Sequence, residues 1–242
     1  MISSISIIFP CYNEAERLKH TFKDIEKFQK KKIFNNFEII FINDGSSDNT
    51  LEILKNYKNK NTKMQRKMKI VSYQQNKGKG YALKKGVKIA RFDWILTLDA
   101  DISVSITQLN NWIKHRQIKR EASIYFGSRN LKGSNIKFKM YRKLVGLIFI
   151  KIIKIFFNID LLDTQCGFKL YKKDIAKKLF ANLKMLDFTH DIEIVLISKK
   201  KGFRIMELPV NWIHKKGSKI SIFKDSFEMF VSLIKMKFIF SK

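Results

Sequence analysis

The chain has 242 residues, 45% hydrophobic and 13% aromatic, which suits a folded protein of one domain with a full core and a small appendage, and it shows no repeat, low-complexity tract or linker. Its 49 basic and 21 acidic residues leave a net charge of +28, a field that draws nucleotides and anionic lipid, although the abundance of Lys with Ile, Asn and Phe also fits a compositional bias on a solvated surface. No nucleic-acid reader motif accompanies the charge, so nucleic acid is not an expected partner. Cys11 and Cys166 lack metal-like spacing and read as free thiols in a reducing compartment, and "MISSISIIFP" shows no secretory leader.

The first half alternates. "SISIIFP" (4–10) is a short apolar run closed by proline, a strand. Residues 14–30 carry Leu18, Phe22, Ile25 and Phe28 at helical spacing. "FEIIFI" (37–42) is a second buried strand, and "SSDNTLEILKNY" opens with Ser46 and Asp48 at cap-like positions before a helix through Leu51, Leu54 and Tyr57. A strand over 69–73, a helix over 80–90, a strand over 93–101, a helix over 106–119 and a strand over 122–128 follow. The alternation predicts an α/β fold, a mostly parallel sheet with helices on both faces and ligands outside the strands' carboxyl ends. The clusters "PCYNE", "NDGSSDNT", "QQNKGKG", "DAD" and "GSRN" each follow a strand, so all gather on one edge. That edge is a nucleotide-type site.

Within it, "LTLDADIS" ends an apolar strand in Asp99 and Asp101. On extended backbone their side chains share a side, roughly 6.5–7 Å apart, and repel unless a cation sits near. The plain reading is a solvated strand end; the sharper one is a divalent cation carrying phosphates. Asp44 ends another apolar strand, where its carboxylate can accept from a base or ribose. Ser46 and Asp48 serve equally as caps. Lys79, in "NKGKG" at a helix start, suits a diphosphate.

The second half differs. Residues 139–159 are very apolar but carry Lys151 and Lys154. Leu144 to Ile159 would span roughly 24 Å as a helix, short of the ~30 Å bilayer core. An in-plane amphipathic helix with snorkelling lysines fits better than a span, and a buried core helix is the alternative. At the C-terminus Phe223, Phe227, Phe230, Val231, Ile234 and Phe238 form one apolar stripe flanked by Lys. The expected organisation is a domain over 1–220, including 139–159, and an appended amphipathic helix over 221–242.

Taken in order, "FPCYNEAERL", "FINDGSSDNT", "NKGKGYALKKG", "LTLDADIS" and "FGSRN" resemble the successive motifs of family 2 glycosyltransferases with the GT-A fold, over about residues 4–220. "LLDTQCGFKLYKKDIA" and "FTHDIEIVLISKKKGFRIMELPVNW" resemble the polyprenyl- and dolichyl-phosphate hexosyltransferase branch, nearest the dolichyl-phosphate β-glucosyltransferases. The resemblance implies that Pro10, Tyr12, Asn13 and Glu14 line the nucleotide pocket and that Asp44 contacts the base, with Ser46 and Lys79 alongside. It implies that Asp99 and Asp101 hold Mg2+ or Mn2+ on the diphosphate, and that Arg129 meets the acceptor phosphate. Mannosyltransferase relatives place Gln two residues after the second Asp; Ser103 stands here, which favours glucose.

The implied reaction moves a hexose, first glucose from UDP-glucose, to a polyprenyl phosphate with inversion. The lipid is undecaprenyl phosphate in a bacterium and dolichyl phosphate otherwise. Asp101, Arg129 and Arg142 are the catalytic candidates, and Lys216 and Lys219 are weaker acceptor contacts. Alternatives are GDP-mannose or other UDP-sugars as donor, a glycan hydroxyl as acceptor with Asp191 or Glu193 as base, and a non-enzymatic basic protein on an anionic membrane surface. With a lipid acceptor, 139–159 and 223–240 predict peripheral attachment to the cytoplasmic face, without a transmembrane helix.

Overall fold

The computed structural model describes residues 2–119, 121–137, 140–215 and 222–240; the side chains of 137, 140–145, 147, 148 and 222–227 lie outside that description. In chain order the first half runs β1 (Ser4–Cys11), α1 (Leu18–Lys30), β2 (Asn36–Asp44), α2 (Thr50–Lys60), α3 (Thr62–Gln65), β3 (Met68–Tyr73), α4 (Lys79–Ile89), β4 (Trp94–Thr97), α5 (Gln108–Lys114) and β5 (Ile124–Ser128). The second runs β6 (Asn135–Lys137), α6 (Met140–Phe157), β7 (Lys169–Lys172), α7 (Lys173–Ala181), α8 (His190–Lys200), β8 (Ile205–Pro209), β9 (Asn211–Ile213) and α9 (Ile222–Phe240).

A seven-stranded sheet has the order β3-β2-β1-β4-β7-β5-β8, and β6 pairs with β9 in a separate ribbon. β1, β2, β3 and β4 are parallel, as are β5 and β8; β7 runs antiparallel to both its neighbours. The central strands read as unbroken apolar runs because both faces are covered. Ile7, Phe9, Ile39 and Phe41 pack toward α1 and α5 through Leu18, Ile25, Phe28, Leu109 and Trp112. Ile8, Ile40, Ile42 and Ile95 face the other layer, with Leu83 and Val87 of α4, Leu179 and Phe180 of α7, and Ile192 and Val195 of α8.

The expected strand over 93–101 stops at Thr97, so Asp99 and Asp101 lie on a turn rather than on extended backbone. Sheet pairing ends there on both sides, at Ile8↔Thr97 and Thr97↔Lys169. Beyond it the Ile102 amide donates to Asp99 O at 3.2 Å and the Ser103 amide to Asp101 Oδ1 at 2.8 Å. Ile102 takes φ 55°, a left-handed value unusual for a β-branched residue. The helix expected from residue 14 starts at Leu18 because Glu14 O first accepts the Arg17 and Leu18 amides in a turn. The helix expected from Ser46 starts at Thr50; Ser46 caps nothing, whereas Asp48 Oδ1 accepts the Thr50 amide at 3.0 Å.

In the second half, residues 153–159 have one buried face and one exposed face. Ile153, Phe157 and Ile159 are buried against α8 and α9, while Ile155 on the opposite side of the helix is 70% exposed. α9 has two faces. Leu233 and Met236 are fully buried, Ser232 Oγ donates to Asp187 Oδ2 at 2.6 Å, and Lys237 Nζ donates to Phe156 O at 2.5 Å. The other face exposes Phe230, Ile234 and Phe238, the stripe seen in the sequence. Among the described residues no helix is long and apolar enough to cross a membrane.

Candidate active site

The loops after the parallel strands meet at one edge, as their sequence positions predict. The antiparallel β7 brings a further segment to them: its start lies at its neighbours' carboxyl ends, so "DTQCGF" joins the same edge.

The β1 and β2 loops are stitched together. Asn13, at φ 55°, accepts the Ser47 and Asp48 amides on Oδ1 at 2.7 and 3.2 Å, and its own amide donates to Ser46 Oγ at 2.9 Å. The Glu14 amide donates to Thr50 Oγ1 at 2.7 Å. Pro10 is partly covered and Tyr12 is 45% exposed, an open aromatic ring at the mouth. Asp44 is buried, and its carboxylate accepts the Lys77 amide at 2.8 Å, the Gly78 amide at 3.0 Å and Asn76 Nδ2 at 3.2 Å. It therefore shapes the Gly-rich loop. Gly78 is fitted twice over: it takes φ 94°, which favours glycine, and a side chain there would strike Leu186 O. The Gly80 and Tyr81 amides at the head of α4 donate to that same carbonyl, at 2.8 and 3.3 Å. These amides are spent on the protein, while the Lys79 side chain turns to Asp99.

Charges converge on the Asp99–Asp101 turn. Lys79 Nζ lies 2.5 Å from Asp99 Oδ1, and Arg17 Nη1 lies 3.9 Å from Asp101 Oδ2. Despite burial, Lys79 holds the Asp99 carboxyl below its ordinary range and is itself pushed up to about 12. Asp101 is shifted up, first by burial and then by the charge of Asp99. Glu14 is pushed up to about 7 by burial, with Asp101 and Asp99 adding and Arg17, at 2.6 Å, opposing. Two crowded hard-oxygen donors whose charges resist each other are a donor set that fits Mg2+ or Mn2+. Gly167 forms the floor: a Cβ there would stand 2.6 Å from Asp99 Cγ.

Asp191 is buried between Lys169 Nζ at 2.7 Å and His190 Nε2 at 3.0 Å. His190 and Lys169 hold its carboxyl far below the usual range against the cost of burial. Glu193 accepts the Lys184 amide at 2.9 Å and the Met185 amide at 2.6 Å, so it fixes the loop before α8. On the other side of the turn, Arg129 makes a two-pronged pair with Asp163, Nε–Oδ2 2.7 Å and Nη2–Oδ1 2.9 Å, and its own amide donates to Oδ2 at 2.9 Å. Its guanidinium carbon lies 5.9 Å from the centre of the Trp212 ring. Arg142 falls within α6 with its side chain outside the described residues, as are Lys216 and Lys219 altogether.

Sequence reasoning missed Arg17, Asp163, Gly167, Lys169, His190 and Trp212. Asp163, Gly167, Lys169, His190 and Trp212 lie inside the two segments that carry the resemblance, and that was the available signal. Their roles come from contacts across the sheet, which spacing does not reveal.

A GT-A-like sheet with a carboxylate pair, a facing lysine and a clamped arginine at its carboxyl edge is the framework of a nucleotide-sugar enzyme, and residues 6–180 match Glycosyl transferase family 2. The chain belongs to that family and is a hexosyltransferase. It is 32% identical over 243 residues to a dolichyl-phosphate beta-glucosyltransferase of Dictyostelium discoideum, covering 97% of this chain and 74% of that one. It is 30% identical to the enzyme of the same name in Saccharomyces cerevisiae, covering 95% and 73%. A solved structure with the same fold is glucosyl-3-phosphoglycerate synthase from Mycobacterium tuberculosis in complex with Mn2+, uridine diphosphate and glucosyl-3-phosphoglycerate; the TM-score is 0.68 at 13% identity, covering 97% of this chain and 80% of that one.

Proposed function

We propose that this protein transfers glucose from UDP-glucose to the phosphate of a polyprenyl lipid, of the dolichyl type its relatives are named for, with inversion at the anomeric carbon. The observation that carries the choice of acceptor is the state of Asp191 and Glu193, since Glu14, though raised to about 7, is tied to Arg17 in the loop after β1. A sugar hydroxyl needs a base beside it. Asp191 is ion-paired with Lys169 and contacted by His190 Nε2, with its carboxyl held far below the usual range, and Glu193, shifted up by burial, is committed to backbone amides. A phosphate monoester, with its second pKa at about 6, is already charged at neutral pH and needs no base. What it needs is a fixed cation, and Arg129 is one: Asp163 holds two of its nitrogens and leaves the remaining N–H groups for an anion.

Pro10, Tyr12, Asn13, Glu14, Ser46 and Asp44 frame the nucleotide, directly or through the loops they fix. Lys79 meets the diphosphate, and Asp99 and Asp101 would hold Mg2+ or Mn2+. Such an ion, when bound, neutralises charge on the departing diphosphate. Orientation between Lys79 and Arg129 supplies the rest, as positioning and fixed charge do in phosphate chemistry. The exposed stripe Phe230, Ile234 and Phe238, flanked by exposed Lys235 and Lys237, supports a reading in which α9 rests on an anionic membrane where the lipid resides.

The test is incubation with labelled UDP-glucose, other UDP-sugars and GDP-mannose, each with polyprenyl phosphate. UDP-glucose is expected to give a labelled, solvent-extractable lipid. Label from GDP-mannose alone, or label passing only to a glycan hydroxyl, would refute the reading.

A further inference from the structure

"ELPVNW" was singled out with the resemblance, yet nothing above uses its tryptophan. β9 fixes Trp212: it pairs Ile136↔Trp212 with β6, the next amide donates to Ser103 O at 2.8 Å, and the preceding Asn211 amide donates to Gln108 Oε1 at 3.3 Å. The indole is half-buried and walls a hollow with Asp99, Ser103, Cys166 and Gly167. It also reaches toward Arg129, the opposite end of the site.

We infer that Trp212 is the wall of the donor-hexose subsite, the residue that tells a glucose-bearing nucleotide from the bare nucleotide. The inference rests on the function proposed above. Inversion requires the leaving oxygen, the anomeric carbon and the attacking phosphate oxygen in line, so the hexose lies between the Asp99 end and the Arg129 end. Trp212 reaches both ends, lining a hollow with Asp99 and standing, at its ring centre, 5.9 Å from the Arg129 guanidinium carbon. The lining of the hollow carries no Lys or Arg, which suits a neutral sugar ring better than an acidic one. A pyranose presents apolar C–H faces, and sugar-sized sites are largely apolar or aromatic with a few placed polar groups. Gly167 keeps the floor open, since a side chain there would displace Asp99. Removing the indole leaves Arg129 in place, because Asp163 grips it independently.

The experiment measures dissociation constants of UDP and of UDP-glucose, with Mn2+, for wild type, Trp212→Ala and Trp212→Phe. For Trp212→Ala the ratio of the UDP-glucose constant to the UDP constant is expected to rise about tenfold, with UDP affinity within twofold of wild type; tenfold corresponds to ~1.4 kcal/mol. Trp212→Phe should raise the ratio by less, and it carries the test if the alanine variant fails to fold. Equal weakening of both ligands would make Trp212 a nucleotide or structural residue, and an unchanged ratio would put the hexose elsewhere; either overturns the inference. Wild type that binds no UDP-glucose at all would refute the proposed function itself, so the two failures are distinguishable.

Discussion

Replacing Gly167 by Ala tests whether one carboxylate's position matters apart from the stability of the fold. The new Cβ would stand 2.6 Å from Asp99 Cγ and closer to Oδ2. Relaxed contact begins at about 3.5 Å, so the carboxylate must retreat by roughly 1 Å. That takes it away from Lys79 Nζ, now 2.5 Å distant. The obstructed group is the end of a side chain, so it can turn aside at ~0.5–1.5 kcal/mol. Loss of a glycine from the unfolded chain returns ~0.4–1 kcal/mol. The net effect on stability is under about 1 kcal/mol, a Tm change of ~2–4 °C for a chain this size. A displacement of ~1 Å at a reacting centre is far more costly, on the order of 10²-fold in rate. Thermal unfolding, Mn2+ titration in the presence of UDP and initial transfer rates therefore should separate: near-normal Tm, weakened Mn2+ binding, and about a hundredfold slower transfer. Full activity would refute the packing argument, and a Tm fall large enough to account for all the lost activity would show that Gly167 serves the core.

Chelation by EDTA should abolish transfer and Mn2+ or Mg2+ restore it, while Asp101→Asn stays folded and inactive; an active variant would remove Asp101 from the cation site. Arg129→Ala should slow transfer to lipid phosphate more than it weakens UDP-glucose binding, and should cost ~3–5 kcal/mol in urea unfolding because Asp163 is left buried and unpaired. Glu14 titrates at about 7 in the fold against an ordinary 4.5, so the folded protein holds that proton more tightly than the unfolded chain. Its stabilising contribution is complete below 4.5 and lost as pH rises through about 7. Over that interval Glu14→Gln should flatten the fall in the urea midpoint, and an unchanged fall would locate the titration elsewhere. Phe230, Ile234 and Phe238 replaced together by Ser should release the protein from anionic vesicles with Tm nearly unchanged, since Leu233 and Met236 carry the packing of α9; unfolding would make the stripe core.

The strands of the first half were legible because each is an apolar run ended by a polar cluster, and β1, β2, β4 and β5 are buried on both faces. The edge where those clusters meet followed from topology alone. β7 was not legible: "KLYK" is short and half basic, and its first lysine is buried only because Asp191, from α8, reaches it. The Asp99–Asp101 turn was misjudged because an apolar run does not show where its neighbours stop pairing. The stripe on α9 was visible, but Leu233 and Met236 between its members were not recognised as a second, buried face. Arg129 was found by resemblance, while Asp163, 34 residues later, is its partner only in three dimensions.

The place of β7 also bears on how the chain is made. β4 and β5 are separated by a strand that comes after both in sequence, so the middle of the sheet cannot close until the ribosome has passed Lys172. Until then β4 shows one bare edge, and β5 has neither of its partners. Such long-range pairing is slow and leaves sticky edges open while it waits. A nascent chain ending near residue 130 carries most of the nucleotide loops but has no route to a closed sheet. The strand that fills the gap between β4 and β5 is preceded by Asp163 and Gly167 and begins with Lys169, so the middle of the sheet and the residues around Asp99 and Arg129 come together in the same step.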